Sequence, residues 1–178
     1  EAMELSYFGA KVIHPNTMIP AVDYNIPIRI KNTLNPDAPG TLISSEKRKT
    51  GKTITGIASI NDVSLINIEG SGMIGVIGTA SRVFKALADA NVNVIMISQA
   101  SSEHSICIVC KEAEAQRALQ SLEQELFEEL KTKKIQQFEL INNLEIIAVI
   151  GENMRGTPGI SGRLFSDLGN RGINILAI

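Results

Sequence analysis

Few residues in this chain are equipped for covalent or metal chemistry, and their spacing limits what they can do. Cys107 and Cys110 spell C-x-x-C. A redox or zinc pair needs both sulfurs converging at a turn or helix start. The surrounding Ser105-Ile-Cys-Ile-Val-Cys110 reads instead as a strand, where an offset of three sends the side chains to opposite faces. Both are expected to be small apolar strand residues. His14 and His104 lie far apart, without acidic or thiol partners at ligand spacing, so no metal site is expected. Gly51-Lys52-Thr53 resembles the end of a phosphate-binding loop, yet Glu46 stands where the first glycine belongs and a strand follows. No Ser/His/Asp grouping stands out.

Gly70-x-Gly72-x-x-Gly75 matches a dinucleotide fingerprint between a strand and a helix. Three features oppose that reading. The acidic residue expected about twenty positions on is replaced by Val94-Ile-Met-Ile-Ser98. Asn153 interrupts the second copy of the motif, and the link from Ile97 to His104 is too short for a parallel crossover. What remains is a glycine turn whose backbone admits close approach and whose N–H groups, at a helix start, attract a carboxylate. Asn93 and Gln99 flank the next strand with neutral amides. Gln99 follows Ile97 by two, so the pair shares a face if the strand continues. Together these suit a small zwitterion bearing a hydroxyl, although turn glycines and edge amides also arise for structural reasons alone.

The elements that must hold these residues follow from periodicity. Glu1 to Val12 has helical composition, and Pro15 opens a second helix towards Tyr24. Strands are expected at Ile26–Lys31 and Thr41–Ile43, with turn chemistry at Asn35–Gly40 between them. Ser44 to Lys52 is polar and reads as a linker. Strand-like runs follow at Ile54–Ile60 and Val63–Glu69, then the glycine turn Gly70–Gly78 and a helix near Ala80–Ala90. Strands at Val92–Ile97 and His104–Cys110, one long amphipathic helix at Glu112–Lys131 and a strand at Ile135–Ile141 complete the series. The order is an extra strand followed by β-α-β-β-α-β.

Composition agrees. There are 17 basic and 19 acidic side chains, a net charge of −2, which argues against holding nucleic acid or an anionic membrane through charge. No apolar run reaches the ~18–20 residues of a membrane span. Hydrophobic residues make up 44% and aromatics 4%, with 26 Ile and 9 Val, so the core is aliphatic and favours sheet. The chain starts without an initiator Met and stops in an apolar run, so it is expected to be a piece of something longer.

Shifted by 81 positions, the chain matches itself without a gap. Gly70, Met73, Gly75, Gly78, Arg82, Phe84, Leu87 and Asn93 fall on Gly151, Met154, Gly156, Gly159, Arg163, Phe165, Leu168 and Asn174. The region after the linker is therefore expected to be one whole β-α-β-β-α-β unit and the first half of another.

At this point the residues resemble a known family. Gly9-Ala-Lys-Val-Ile-His-Pro15 and Ile30-Lys-Asn-Thr-Leu-Asn-Pro-Asp-Ala-Pro-Gly-Thr41 look like the C-terminal end of the aspartate kinase catalytic domain. Val92-Asn-Val-Ile-Met-Ile-Ser-Gln-Ala-Ser-Ser-Glu103 looks like the first ACT regulatory domain of those enzymes, most of all the bifunctional aspartokinase–homoserine dehydrogenases. The resemblance implies an α/β (α+β) chain: tandem ferredoxin-like βαββαβ ACT domains after the tail of an amino-acid-kinase-fold domain. The expected segments are 1–45 catalytic tail, 46–53 linker, 54–143 first ACT domain and 144–178 half of a second. It further implies an ATP-dependent kinase forming 4-phospho-aspartate, with Mg as the nucleotide's companion and feedback by threonine or lysine. NADP enters only if a dehydrogenase domain follows, and the fragment itself is expected to hold no cofactor, no metal and no confident catalytic residue. Gly75, Gly78, Asn93, Ile97, Gln99 and Asn174 are the implied effector residues. Some relatives carry a nucleotide-contacting lysine where this chain has Leu34, leaving Lys31 as the candidate. A homodimer or tetramer through the ACT domains is implied, without nucleic acid or membrane, in the cytoplasm or the plastid stroma. The other readings kept open are a ligand-free ACT-type dimerisation scaffold and nucleotide binding at the 70–78 turn.

Overall fold

β-Branched runs with period two form the strands, and three- and four-residue apolar spacing forms the helices that cover them. The computed structural model describes residues 1–10, 12–46, 51–73, 76–99 and 104–178. Two units emerge, named here for their places in the sequence. The inner unit is Asn61–Ile146 with Ile173–Ile178, and the outer unit is Glu1–Ile60 with Ile147–Gly172.

In the outer unit, α1 (Ala2–Tyr7) and α2 (Pro15–Asp23) precede a small antiparallel pair, β1 (Ile28–Ile30) and β2 (Thr41–Ile43), in the register Ile28↔Ile43 to Ile30↔Thr41. Pro15 sits in the first turn of α2, and the His14 ring accepts a hydrogen bond from the Asn16 N–H at 3.3 Å. His14 is thus a helix cap, which occupies the imidazole with structure. Met18 on α2 is fully buried.

The remaining elements are β3 (Gly56–Glu69), α3 (Thr79–Asp89), β4 (Met96–Gln99), β5 (Ser105–Lys111), α4 (Glu112–Glu125), α5 (Phe127–Lys131), β6 (Gln137–Ile150) and α6 (Ile160–Gly169). A four-stranded sheet has the order β4-β5-β3-β6. β5 pairs antiparallel with β3 from Val63↔Lys111 to Glu69↔Ser105, and with β4 from Met96↔Val109 to Gln99↔Ile106. The Gln136 N–H donates to the Glu69 carbonyl at 2.7 Å, where β6 begins beside β3. Ile66, Ile68, Ile106, Ile108 and Cys110 turn one sheet face towards Val83 and Leu87 of α3 and Ala118 and Leu122 of α4, and these residues form one buried cluster. Each fully buried aliphatic side chain there stabilises the fold by about 1.5–3 kcal/mol.

Five expectations need correction. The runs 54–60 and 63–69 are one strand, β3, and the strand expected at 135–141 continues to Ile150 as β6. The cause is local. Asp62 (φ 56°) and Asn143 (φ 58°) bend each strand through the left-handed region, which Asp and Asn tolerate better than most residues. Such polar kinks read as turns in sequence while the strand continues beyond them. The single helix at 112–131 is two, broken at the fully buried Leu126 (φ −106°, ψ 24°). The strand expected at Val92–Ile97 runs Met96–Gln99 instead. The first helix is also shorter than expected, ending at Tyr7.

The repeat is visible in conformation. β3 and β6 are the same stretch shifted by 81, as are Gly78 (φ 94°) and Gly159 (φ 88°), which precede α3 and α6. The correspondence extends further back than the glycine motif. In the inner unit a Cβ on Gly70 would lie 2.2 Å from the Lys134 carbonyl oxygen; in the outer unit a Cβ on Gly151 would lie 2.1 Å from that of Thr53. Likewise the Thr55 N–H donates to the Ile150 carbonyl at 2.8 Å, the counterpart of Gln136 on Glu69. In each unit, then, the strand beside the glycine turn comes from the other repeat.

Candidate functional site

The glycine turn is shaped first by the chain's own backbone. Gly72 donates its N–H to the Lys134 carbonyl at 2.9 Å, and a Cβ there would lie 2.6 Å from the Lys134 Cα. Gly70 donates to the His104 carbonyl at 3.0 Å. These two glycines are needed for close packing, so the dinucleotide fingerprint has a structural cause and its first half offers no phosphate cradle. Gly75 lies outside the described residues. Gly78 is exposed at the start of α3, with the fully exposed Ile77 before it.

β4 stands at the end of the sheet order and carries two of the candidates. Ile97 is 51% exposed, and Gln99, two residues on, is exposed as well. Their cross-strand partners are Ile108 and Ile106. An apolar side chain and a neutral amide therefore share one face of an end strand. Asn93 precedes the strand, exposed, and donates its N–H to the Glu114 carboxylate on α4 at 3.1 Å, which leaves its side-chain amide pointing elsewhere than that bond. The Ser98 hydroxyl donates to the Ile178 carbonyl at 3.0 Å, so the segment 173–178, which carries the exposed Asn174, belongs to the inner unit and is tied to β4 at Ile178. Gly78, Asn93, Ile97, Gln99 and Asn174 all belong to this unit. Lys31 belongs to the outer one: it is exposed after β1, and its Cγ would lie 3.0 Å from a Cβ on Gly40.

The two cysteines separate as strand geometry requires. Cys110 is fully buried in the core, and Cys107 is half-buried, its thiol donating to Asn67 Oδ1 at 3.3 Å. Burial pushes both thiols above their usual range, the opposite of an activated nucleophile.

Sequence reading missed a charged clamp. Arg82 on α3 donates Nε to Glu125 Oε1 at 2.8 Å and Nη2 to the Glu125 carbonyl at 2.6 Å, and its Nη1 pairs with Glu129. It spans the break between α4 and α5. The hydrogen bond from Arg82 holds the Glu129 carboxyl below the usual range, against an opposing effect of burial, while Glu129 and Glu125 raise the guanidinium's value. The repeat held the signal, because Arg82 recurs as Arg163. In the outer unit Arg163 pairs with Asp167, at 4.0 Å, and lines an open groove of about 460 Å³ with Ile57, Val149, Ile160 and Leu164. The counterparts of Val149 and Leu164 in the inner unit are Ile68 and Val83, both covered there by the core.

A β-α-β-β-α-β sheet in this order, two helices on one face and a glycine turn ahead of the first, defines a ferredoxin-like domain, whose strand, glycine turn and helix recur in β6 and α6. The family model described as the ACT domain matches residues 66–126 and 147–178, and the chain belongs to that family. Over its whole length it is 46% identical to the chloroplastic bifunctional aspartokinase/homoserine dehydrogenase 2 of Arabidopsis thaliana, of which it spans 20%. Among solved structures it is similar to Clostridium acetobutylicum aspartate kinase: 29% identity, TM-score 0.84, covering 100% of this chain and 40% of that one. It is also similar to E. coli aspartokinase III in complex with lysine and aspartate, at 28% identity and TM-score 0.68, covering 98% of this chain and 37% of that one. The chain thus spans about a fifth of the curated relative it matches.

Proposed function

We propose that this chain is the regulatory region, with the end of the catalytic domain, of an aspartate kinase that phosphorylates the β-carboxylate of aspartate with ATP and is feedback-controlled by an amino acid. The end strand β4 carries the reading. It offers an exposed apolar side chain, Ile97, and an exposed amide, Gln99, on one face. Such a face matches the aliphatic part and the polar group of threonine or lysine. Asn93, Gly75, Gly78 and Asn174 complete the proposed effector set, and Asn174 lies on the segment that Ser98 ties to β4 at Ile178.

Residues 1–45 are assigned to the catalytic tail, 46–53 to the linker, 54–143 to the first ACT domain and 144–178 to half of the second. Lys31 supplies one ammonium for nucleotide phosphate, since Arg29 beside it is engaged with the Pro39 carbonyl at 2.7 Å. That single cation fits a peripheral contact; ATP and Mg belong to the whole enzyme, and NADP to a dehydrogenase portion if the parent carries one. The ACT units join in a homodimer or tetramer, and the compartment is the cytoplasm, or the plastid stroma if the source is a plant or alga.

Effectors acting between about 0.1 and 1 mM bind with roughly 4–5.5 kcal/mol, and a coupling of about 1–3 kcal/mol to catalysis suffices for control. Calorimetric titration of the whole enzyme with threonine and with lysine tests the reading; no heat with either sinks it. Gln99→Ala should weaken the response by about tenfold while leaving the melting temperature nearly unchanged, because an exposed amide packs little. An inhibition curve that overlays the parent's overturns the assignment. The scaffold reading predicts an oligomer in sedimentation with no uptake of either amino acid.

A further inference from the structure

Within the outer unit, the start of the catalytic tail meets β3 and the second glycine turn along a stripe read every fourth residue. Glu1 Oε1 accepts from the Thr55 hydroxyl at 2.7 Å and from the Glu152 N–H at 2.8 Å. Leu5, one helical turn on, faces Gly56, where a Cβ would lie 2.8 Å from Leu5 Cδ2. Gly9 follows after four more residues, with φ +114°, and its Cβ would lie 2.4 Å from the Ser59 carbonyl oxygen. Positions i and i+4 share one helix face, so α1 and the loop after it track β3 through residues 55, 56 and 59.

Both donors to Glu1 are informative. Thr55 immediately precedes β3 and is locked to the end of β6 by its own N–H on the Ile150 carbonyl, 2.8 Å. Glu152 begins the short turn Glu152–Met154, the counterpart of Ser71–Met73 in the glycine turn of the first repeat. One carboxylate oxygen therefore holds a strand and a glycine turn at a fixed spacing and ties both to α1. A shift of the turn by about 1 Å takes the Glu152 N–H beyond hydrogen-bond range. Glu1 is also the residue before α1 yet makes no side-chain capping bond to it, so its carboxylate is committed to the regulatory side.

The geometry points to Glu1 as a coupling residue: its carboxylate transmits the position of the second repeat's glycine turn to the catalytic tail. A displacement of that turn when an amino acid is bound thus reaches the catalytic tail through one carboxylate. This rests on the regulatory reading above, and Glu1 is a positioning residue that acts through Thr55 and the Glu152 N–H.

The test uses the full-length enzyme with Glu1→Ala, which removes no helix cap, and, from the other side, Thr55→Val against Thr55→Ser. Amino-acid binding by calorimetry, kinase inhibition and hydrogen exchange at the Glu152 amide are measured together. Glu1→Ala and Thr55→Val are expected to bind effector within about twofold of the parent, with the maximal inhibition reduced about threefold or more. The Glu152 amide should exchange about tenfold faster in Glu1→Ala. Thr55→Ser, which keeps the hydroxyl, should behave as the parent. Inhibition that stays complete in Glu1→Ala overturns the proposal. If the parent itself takes up no amino acid, the regulatory reading fails, and the contact is judged on exchange: unchanged protection at Glu152 overturns it as well.

Discussion

Arg82 and Glu129 show how a single side chain spans elements that the backbone leaves separate. Arg82 joins α3 to both pieces of the broken second helix through Glu125 and Glu129. The group is part-exposed, so solvent screening limits its worth to on the order of 1 kcal/mol. Glu129's carboxyl value is lowered in the fold by the Arg82 hydrogen bond, and a lowered value means stability that is complete above the unfolded value and is lost as pH falls through the folded one. Arg82→Ala should therefore lower the urea midpoint at pH 7, and its deficit should shrink below about pH 4, near an ordinary glutamate's value. Equal deficits at both pH values would mean that the clamp acts through packing alone. The separation of Cys107 from Cys110 was legible from strand parity. The partners of Glu1 were not: they lie 54 and 151 positions away, and no local pattern marks them.

Elements were legible where one periodicity held throughout. β5 and α3 lie close to where their apolar residues place them, and α2 lies where Pro15 opens it. α4 and α5 read as one helix because Leu122 and Leu126 keep the four-residue spacing across the break. Burial of Leu126 preserves the stripe even though its backbone leaves the helix. Leu126→Ala, emptying a fully buried site at the junction, is expected to cost about 2–5 kcal/mol in denaturant unfolding. A loss below about 1 kcal/mol would mean that the junction collapses to fill the space. The kinks at Asp62 and Asn143 misled in the opposite sense, because polar residues in the left-handed region look like the ends of strands that in fact continue. On β4 the shift towards Gln99 puts the amide inside the strand, which the apolar run Val92–Ile97 alone did not reveal.

At the scale of the molecule, the period of 81 identified two copies but not how strands are shared between them. The apolar matches Ile54/Ile135, Ile57/Phe138 and Ile60/Ile141 continue the repeat backwards, and they show why: the strand before each glycine repeat belongs to it. The outer unit needs residues 1–60 as well as 147–172, whereas the inner unit draws its core cluster from 66–135. A chain beginning at Asn61 should keep amide protection in α3 and α4 while α6 exchanges at rates near those of an unfolded peptide. Persistent protection of α6 in that chain would show that 147–172 holds its structure without its partner segment.

Glu1 and Glu152 also meet late in the life of the chain. At a synthesis rate of about 5–20 residues per second, roughly 8–30 seconds separate the emergence of the carboxylate from that of its second donor. The inner unit's core is complete on the nascent chain before that contact can form. The α1 segment therefore waits, its helical stripe uncovered, until the second glycine turn leaves the ribosome. During that interval it is open to chaperones and proteases, and any early stop of translation before residue 152 leaves it so.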